Sequence, residues 1–226
     1  MTSRSLRTAR LGSVVLLAAT LAGCLGSEGN IRTATLVPAP LPAYQAGDLF
    51  TYRDEKGRTV TREVVASTPE RTEWVTESGY RFTKGPDIFV PQLAWEGTSS
   101  RGAAVAVAVE GGLWPLAYKK RSTITIDYEK TDKKTGEVRR YSELWRCRVN
   151  RPRKSEVPAG SFDTYKVVCK RHDPTTDAVT RTHIWYYAPA LGHYVQRVKK
   201  YADGRRKEIS LVSWRRAEPK LAAAGR

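Results

Sequence analysis

The chain has 226 residues, with 39 Lys or Arg against 23 Asp or Glu, a formal charge of +16 at neutral pH. At 40% hydrophobic residues and three cysteines it is neither a disordered polymer nor a disulfide-dense miniprotein. So basic a chain ordinarily suggests nucleic acid, yet no nucleic-acid-binding motif is present.

The first element is a targeting segment. Arg4, Arg7 and Arg10 form a positive stretch, and the apolar run over residues 11 to 21 is too short to span a bilayer but right for the core of a signal peptide. It ends in Leu21-Ala22-Gly23-Cys24, small residues before a thiol. This tetrad resembles the lipobox of bacterial lipoproteins. The resemblance implies cleavage before Cys24 and transfer of diacylglycerol and palmitate-type acyl chains to its sulfur. It also implies a mature chain anchored in an envelope membrane and facing the periplasm. Leu25 is not Asp, which by the enterobacterial sorting pattern favours the outer membrane over the inner one.

Export removes nucleic acid as a partner. Without the three signal arginines the chain keeps 36 basic and 23 acidic residues, a charge of +13. Anionic lipid or another envelope protein is then the expected partner. Arg205, Arg206 and Lys207, next to Lys199-Lys200 in sequence, are candidates for contact with an anionic surface, although such runs are usually solvated strand faces.

Residues 24 to 46, the lipidated Cys24 and a segment carrying Pro38, Pro40 and Pro42, are expected to be an extended, flexible tether. From residue 47 to 216 the pattern changes to short runs of Val, Ile, Thr, Tyr and Trp alternating in twos, separated by polar turns. Strands are expected at 48–53, 59–67, 71–77, 80–83, 103–109, 122–129, 138–150, 162–171, 179–187, 194–201 and 207–214. Short turns such as Asp54-Glu55-Lys56-Gly57 and Asp203-Gly204 make the pairing sequential and antiparallel. The run Thr123, Thr125, Asp127, Glu129 against Ile124, Ile126, Tyr128 divides a wet face from a dry one. The expectation is one all-β domain, a curved antiparallel meander forming a half-barrel or a β-sandwich-like sheet. Residues 217 to 226 are expected to be a disordered tail.

With Cys24 acylated, Cys147 and Cys169 remain as a pair in an oxidising compartment. Cys147 shares its strand face with Trp145 and Val149, and Cys169 with Tyr165 and Val167, so both should point inward and be bridged. The stretch from 84 to 112, broken by Gly85-Pro86, Pro91 and Gly111-Gly112, is expected to contain a long loop or lid. Its Phe89 and Trp95, with Trp114 just beyond, are candidates to line a ligand cavity; core packing is the competing role.

Two stretches, Val157-Pro158-Ala159-Gly160-Ser161-Phe162 running on to Val167, and Trp185-Tyr186-Tyr187-Ala188-Pro189 running on to Val195, are each a turn feeding a strand. They resemble the C-terminal hairpins of uncharacterised periplasmic β-proteins. More distantly they are similar to the half-barrel of the LolA/LolB lipoprotein carriers, which implies a curved sheet around a hydrophobic cavity. Phosphate loops, the H-E-x-x-H pair and a nucleophile elbow are missing, so no catalytic or metal residue is expected, no cofactor, and no enzyme. The expected function is a lipid-anchored envelope protein binding an apolar or amphipathic ligand or an envelope partner. The alternative is a structural or accessory subunit with a filled core. A cavity would separate the two.

Overall fold

The structure is a computed structural model and describes residues 36 to 218; the signal segment and Cys24 lie outside the described residues, as does the tail from 219 on. All regular structure among the described residues is strand. In chain order the strands are β1 (Leu49–Asp54), β2 (Thr59–Ser67), β3 (Thr72–Thr76), β4 (Arg81–Lys84), β5 (Ala94–Glu96), β6 (Ser100–Gly112) and β7 (Arg121–Asp132). They continue as β8 (Val138–Val149), β9 (Arg153–Val157), β10 (Gly160–His172), β11 (Val179–Ala188), β12 (His193–Tyr201) and β13 (Arg206–Arg215).

Neighbours in sequence pair antiparallel, with two exceptions that turn the meander into a barrel. Strand β1 pairs with β13, Leu49 opposite Arg215, and β8 passes over β9 to pair with β10. Since β10 also pairs with β11, the sheet closes on itself and the half-barrel becomes a full one. Strand β10 is long enough to serve two partners on one side: β8 along Val167 to His172 and β9 along Gly160 to Thr164.

All eleven expected strands are present. The sequence pattern misses β5 and β9 for physical reasons. Three residues are too few for an alternation to register, and β9 lies in a basic run that reads as solvated surface. The stretch from 84 to 112 divides accordingly: a loop from 85 to 93, then β5, then the long strand β6. At the β5–β6 corner the chain needs Gly102, where a Cβ would stand 2.3 Å from the Trp95 ring and 2.6 Å from the Glu129 carbonyl oxygen.

The part of the expected tether that the structure describes is not free. Residues 36 to 46 run extended along the barrel. Ala39 exchanges both backbone hydrogen bonds with Leu116, and the Tyr165 hydroxyl donates to the Leu36 carbonyl at 2.9 Å. Tyr44 is buried, its ring edge-on to Trp74 and its hydroxyl 2.6 Å from His193 Nδ1. Prolines keep the segment extended, but Leu36, Ala39 and Tyr44 gain enough apolar burial to dock it.

Alternation sets which side chains face the lumen. Across β8, β10, β11 and β12 these form rungs that read directly from the register. Val149, Val167, Trp185 and Arg197 make one; Cys147, Cys169, His183 and Lys199 the next; Trp145, Arg171, Arg181 and Tyr201 the third. The two cysteines are direct partners and are bonded to each other, buried as expected. On the far side of the first rung the barrel is filled. Tyr187, Phe89, Trp114, Phe50, Leu113 and Leu116 pack there, with Phe89 parallel to Trp114 at a centroid distance of 5.4 Å. The loop from 85 to 93 carries Ile88 and Phe89 into this layer and acts as its plug.

Candidate ligand-binding lumen

Beyond the plug the barrel is not filled. A cavity of about 620 Å³ occupies the lumen, with partly exposed Ser78 and Tyr141 among its walls. That volume is in the range of small-molecule sites. One wall is aromatic. Trp74 and Phe82 stack with an interplanar angle of 2°, and Trp95, Trp145, Trp185 and Tyr128 continue the surface around the barrel.

The other component is positive charge. Six cationic side chains, Arg62, Lys84, Arg171, Arg181, Arg197 and Lys199, line the same cavity, against a single carboxylate, Glu143. Glu143 is fully engaged: Arg171 Nη1 donates to it at 2.6 Å and the Trp145 indole N–H at 2.9 Å. Arg171 also donates from Nε to Thr180 Oγ1 at 2.7 Å. This pair is closed within itself.

Of the remaining five cations, Lys84 has the Asp87 carboxylate beside it, and the partners of the other four are neutral. Arg62 donates to the Tyr194 hydroxyl and lies over the Tyr52 ring at 5.1 Å. Lys84 donates to the Val90 carbonyl. Arg181 stands over Tyr201 at 4.7 Å, with its Nε buried and unpartnered. Arg197 faces Tyr194 at 6.0 Å. Lys199 lies opposite His183, whose Nε2 is likewise buried without a partner.

The electrostatics follow from that crowding. The Arg197 charge, followed by burial, holds the Lys199 ammonium well below its ordinary range. Burial, then the charges of Lys199, Arg197 and Arg181, push His183 far down, so it is neutral. Burial lowers Lys84 to about 7. Burial raises the Tyr194 phenol, and the charges of Arg62 and Arg197 are the largest of the effects that bring it below its ordinary value. Except at Lys84, where Asp87 acts in the opposite direction, the neighbouring charges that shift these groups are all positive.

Of the residues singled out from the sequence, Phe89 and Trp95 line the cavity. Trp114 lies one layer behind, stacked on the outer side of Phe89 in the filled end. Arg205, Arg206 and Lys207 are exposed at the β12–β13 turn. Two of the three are partnered there, Arg205 to Asp203 at 2.6 Å and Arg206 to Glu208, which thins the positive patch the sequence suggested. Lys199-Lys200 does not belong to that patch as a unit: Lys200 is outside and Lys199 inside.

The lumenal cations are the residues sequence reasoning missed. Their signal is phase: Arg181, His183, Trp185 and Tyr187 alternate on one face of β11. Basic residues on a strand are read as solvated by default, and Ile184 and Val198, buried on the opposite face, obscure which side is inward. Among the described residues, no group of three or more His, Cys, Asp or Glu could hold a metal ion.

Fold and site together define a closed antiparallel β-barrel, filled at one end and carrying at the other an aromatic-walled, cationic lumen. The same fold occurs in the hypothetical lipoprotein YmcC of Escherichia coli K12, at 11% identity and a TM-score of 0.52, over 82% of this chain and 92% of that one. An exported protein with a YmcC-like fold from Bacteroides fragilis matches at 12% identity and a TM-score of 0.42, over 79% of this chain and 100% of that one. A lipoprotein from Parabacteroides distasonis matches at 11% and 0.40, over 80% and 100%. No family model matches the sequence, and no curated protein does.

Proposed function

We propose that this chain is a lipid-anchored protein of the bacterial cell envelope that holds a small amphipathic molecule in its barrel and performs no catalysis on it. The observation that carries the binding is the cavity of about 620 Å³ in an otherwise filled barrel, since a purely structural subunit has no use for an open, tryptophan-lined lumen. It is also the reading that the resemblance to lipoprotein carriers implies. The anchor rests on the lipobox at Cys24, and the fold shared with YmcC, itself described as a lipoprotein, supports it. Leu25, by the enterobacterial sorting pattern, favours the outer membrane over the inner one.

Two experiments test the two halves. Native mass spectrometry of the mature chain, residues 24 to 226 with Cys24→Ser so that no acyl chain is attached, is expected to show one co-purifying molecule per barrel when the protein comes from its own host. A mass equal to the bare polypeptide in every preparation would return the protein to the structural class. Separately, Cys24→Ala is expected to abolish labelling by a fatty-acid analogue and to release the chain from the membrane fraction. Persistent labelling would mean that the lipobox reading is wrong.

A further inference from the structure

The lumen carries more specific information than its size. Arg171 and Arg181 are direct cross-strand partners on β10 and β11, and Lys199 stands on β12 beside Arg197, so like charges occupy neighbouring inward positions. Such an arrangement is destabilising by itself. Buried cations are normally matched by carboxylates or left solvated at a surface, because removing charge from water without a partner is costly. Here the single lumenal carboxylate is already committed to Arg171 and Trp145, and His183 Nε2 and Arg181 Nε are buried without partners.

We infer that the ligand is an organic anion whose phosphate, sulfonate or carboxylate group sits among Arg62, Arg181, Arg197 and Lys199 while its apolar body lies against Trp74, Phe82 and Trp95. The inference rests on the binding function proposed above and names the chemical class it would take. Arginine supplies planar, paired donors suited to an oxyanion, and the tyrosine hydroxyls and rings now facing the guanidinium groups hold them in place until the anion arrives. Trp74, Phe82 and Trp95 lie on β3, β4 and β5, and three of the four cations lie on β11 and β12. This division favours the orientation that turns the charged part toward β11 and β12 and the apolar part toward β3, β4 and β5.

Two fluorescent probes with the same ring system separate the contributions. 1-Anilinonaphthalene-8-sulfonate and N-phenyl-1-naphthylamine differ in a sulfonate, and each would be titrated into the mature Cys24→Ser chain. The sulfonate is expected to bind tighter by about ten-fold or more, the low end of a close charge contact. Lys199→Met and Arg181→Gln should each remove most of that preference, lowering the affinity for the sulfonate far more than they change that for the neutral probe. Lys199→Met should also raise the melting temperature of the unliganded protein by relieving repulsion, a readout that a merely damaged variant would not give.

Equal affinity for both probes would overturn the anion and leave the barrel a binder of apolar molecules. Binding of neither would remove the binding function itself. A sulfonate preference untouched by both substitutions would locate the anion on the outer surface and sink the inference. Competition identifies the source of the charge. Displacement by inorganic phosphate makes a free oxyanion sufficient, and displacement by dodecyl phosphate alone assigns the site to the headgroup of an amphiphile. If dodecanol displaced the probe as well as dodecyl phosphate, the charge would play no part.

Discussion

At the scale of single residues, Lys84 gives the lumen a pH dependence whose sign can be worked out. Burial lowers it to about 7; Asp87 opposes that shift, and Arg197 and Arg62 add to it. In the unfolded chain a lysine keeps its ordinary value near 10.4, so between about pH 7 and that value the unfolded state holds more protons and stability rises with pH. Below about pH 7 both states are protonated and the full penalty of the buried ammonium remains. Lys84→Met is therefore expected to raise stability by about 1 to 3 kcal/mol below neutrality, with the gain shrinking toward about pH 10. Urea denaturation of both proteins across that range measures it, and a constant difference at all pH values would count against the burial of the charge. The same residue shows where sequence reading stops. Phe89 and Trp95 stood out as candidates to line a cavity because they are aromatic residues in a broken stretch. That Lys84 and Lys199 turn inward could not, because the identity of a lysine says nothing about phase and its default place is in water.

At the scale of elements, the strands were legible and their closure was not. Alternation locates each strand by its own residues, so Ile124, Ile126 and Tyr128 mark the dry face of β7 without reference to anything else. The decision to form a barrel instead of an open half-barrel depends on β1 meeting β13 and on β10 reaching both β8 and β11, long-range matters that no local pattern encodes. The docked segment from 36 to 46 was missed for a related reason: its prolines report extension correctly, but only the barrel supplies the groove that Ala39 and Tyr44 enter. The disulfide, by contrast, was open to inference, since Cys147 and Cys169 each carry an inward phase. It ties β8 to β10 across the β9 excursion, at a sequence separation of 22. Replacing both cysteines by alanine is expected to lower stability by about 3 kcal/mol through the freed loop entropy of the unfolded chain. Equilibrium denaturation under oxidising conditions measures the loss, and an unchanged midpoint would show the bond to be dispensable.

At the scale of the whole molecule, binding and stability pull in opposite directions. A lumen crowded with cations is held open against its own repulsion, and the filled end, with Tyr187, Phe89 and Phe50 fully buried, supplies the stability that permits it. The pairing of β1 with β13 has a further consequence, which concerns time. Nearly every other strand finds its partner as soon as its neighbour has emerged, but β1 has one edge unsatisfied until the last strand of the barrel is available. Closure is thus the final event for a chain that folds in order from its N-terminal side, and the nascent barrel waits as an open sheet with two free edges. A circular permutant that joins the ends of the barrel, with Leu49 and Arg215 already facing each other, and opens the turn between β7 and β8 would make β13 and β1 sequential neighbours. Stopped-flow refolding should show that permutant closing faster than the natural order, while a slower or unchanged rate would place the rate-limiting contact elsewhere in the ring.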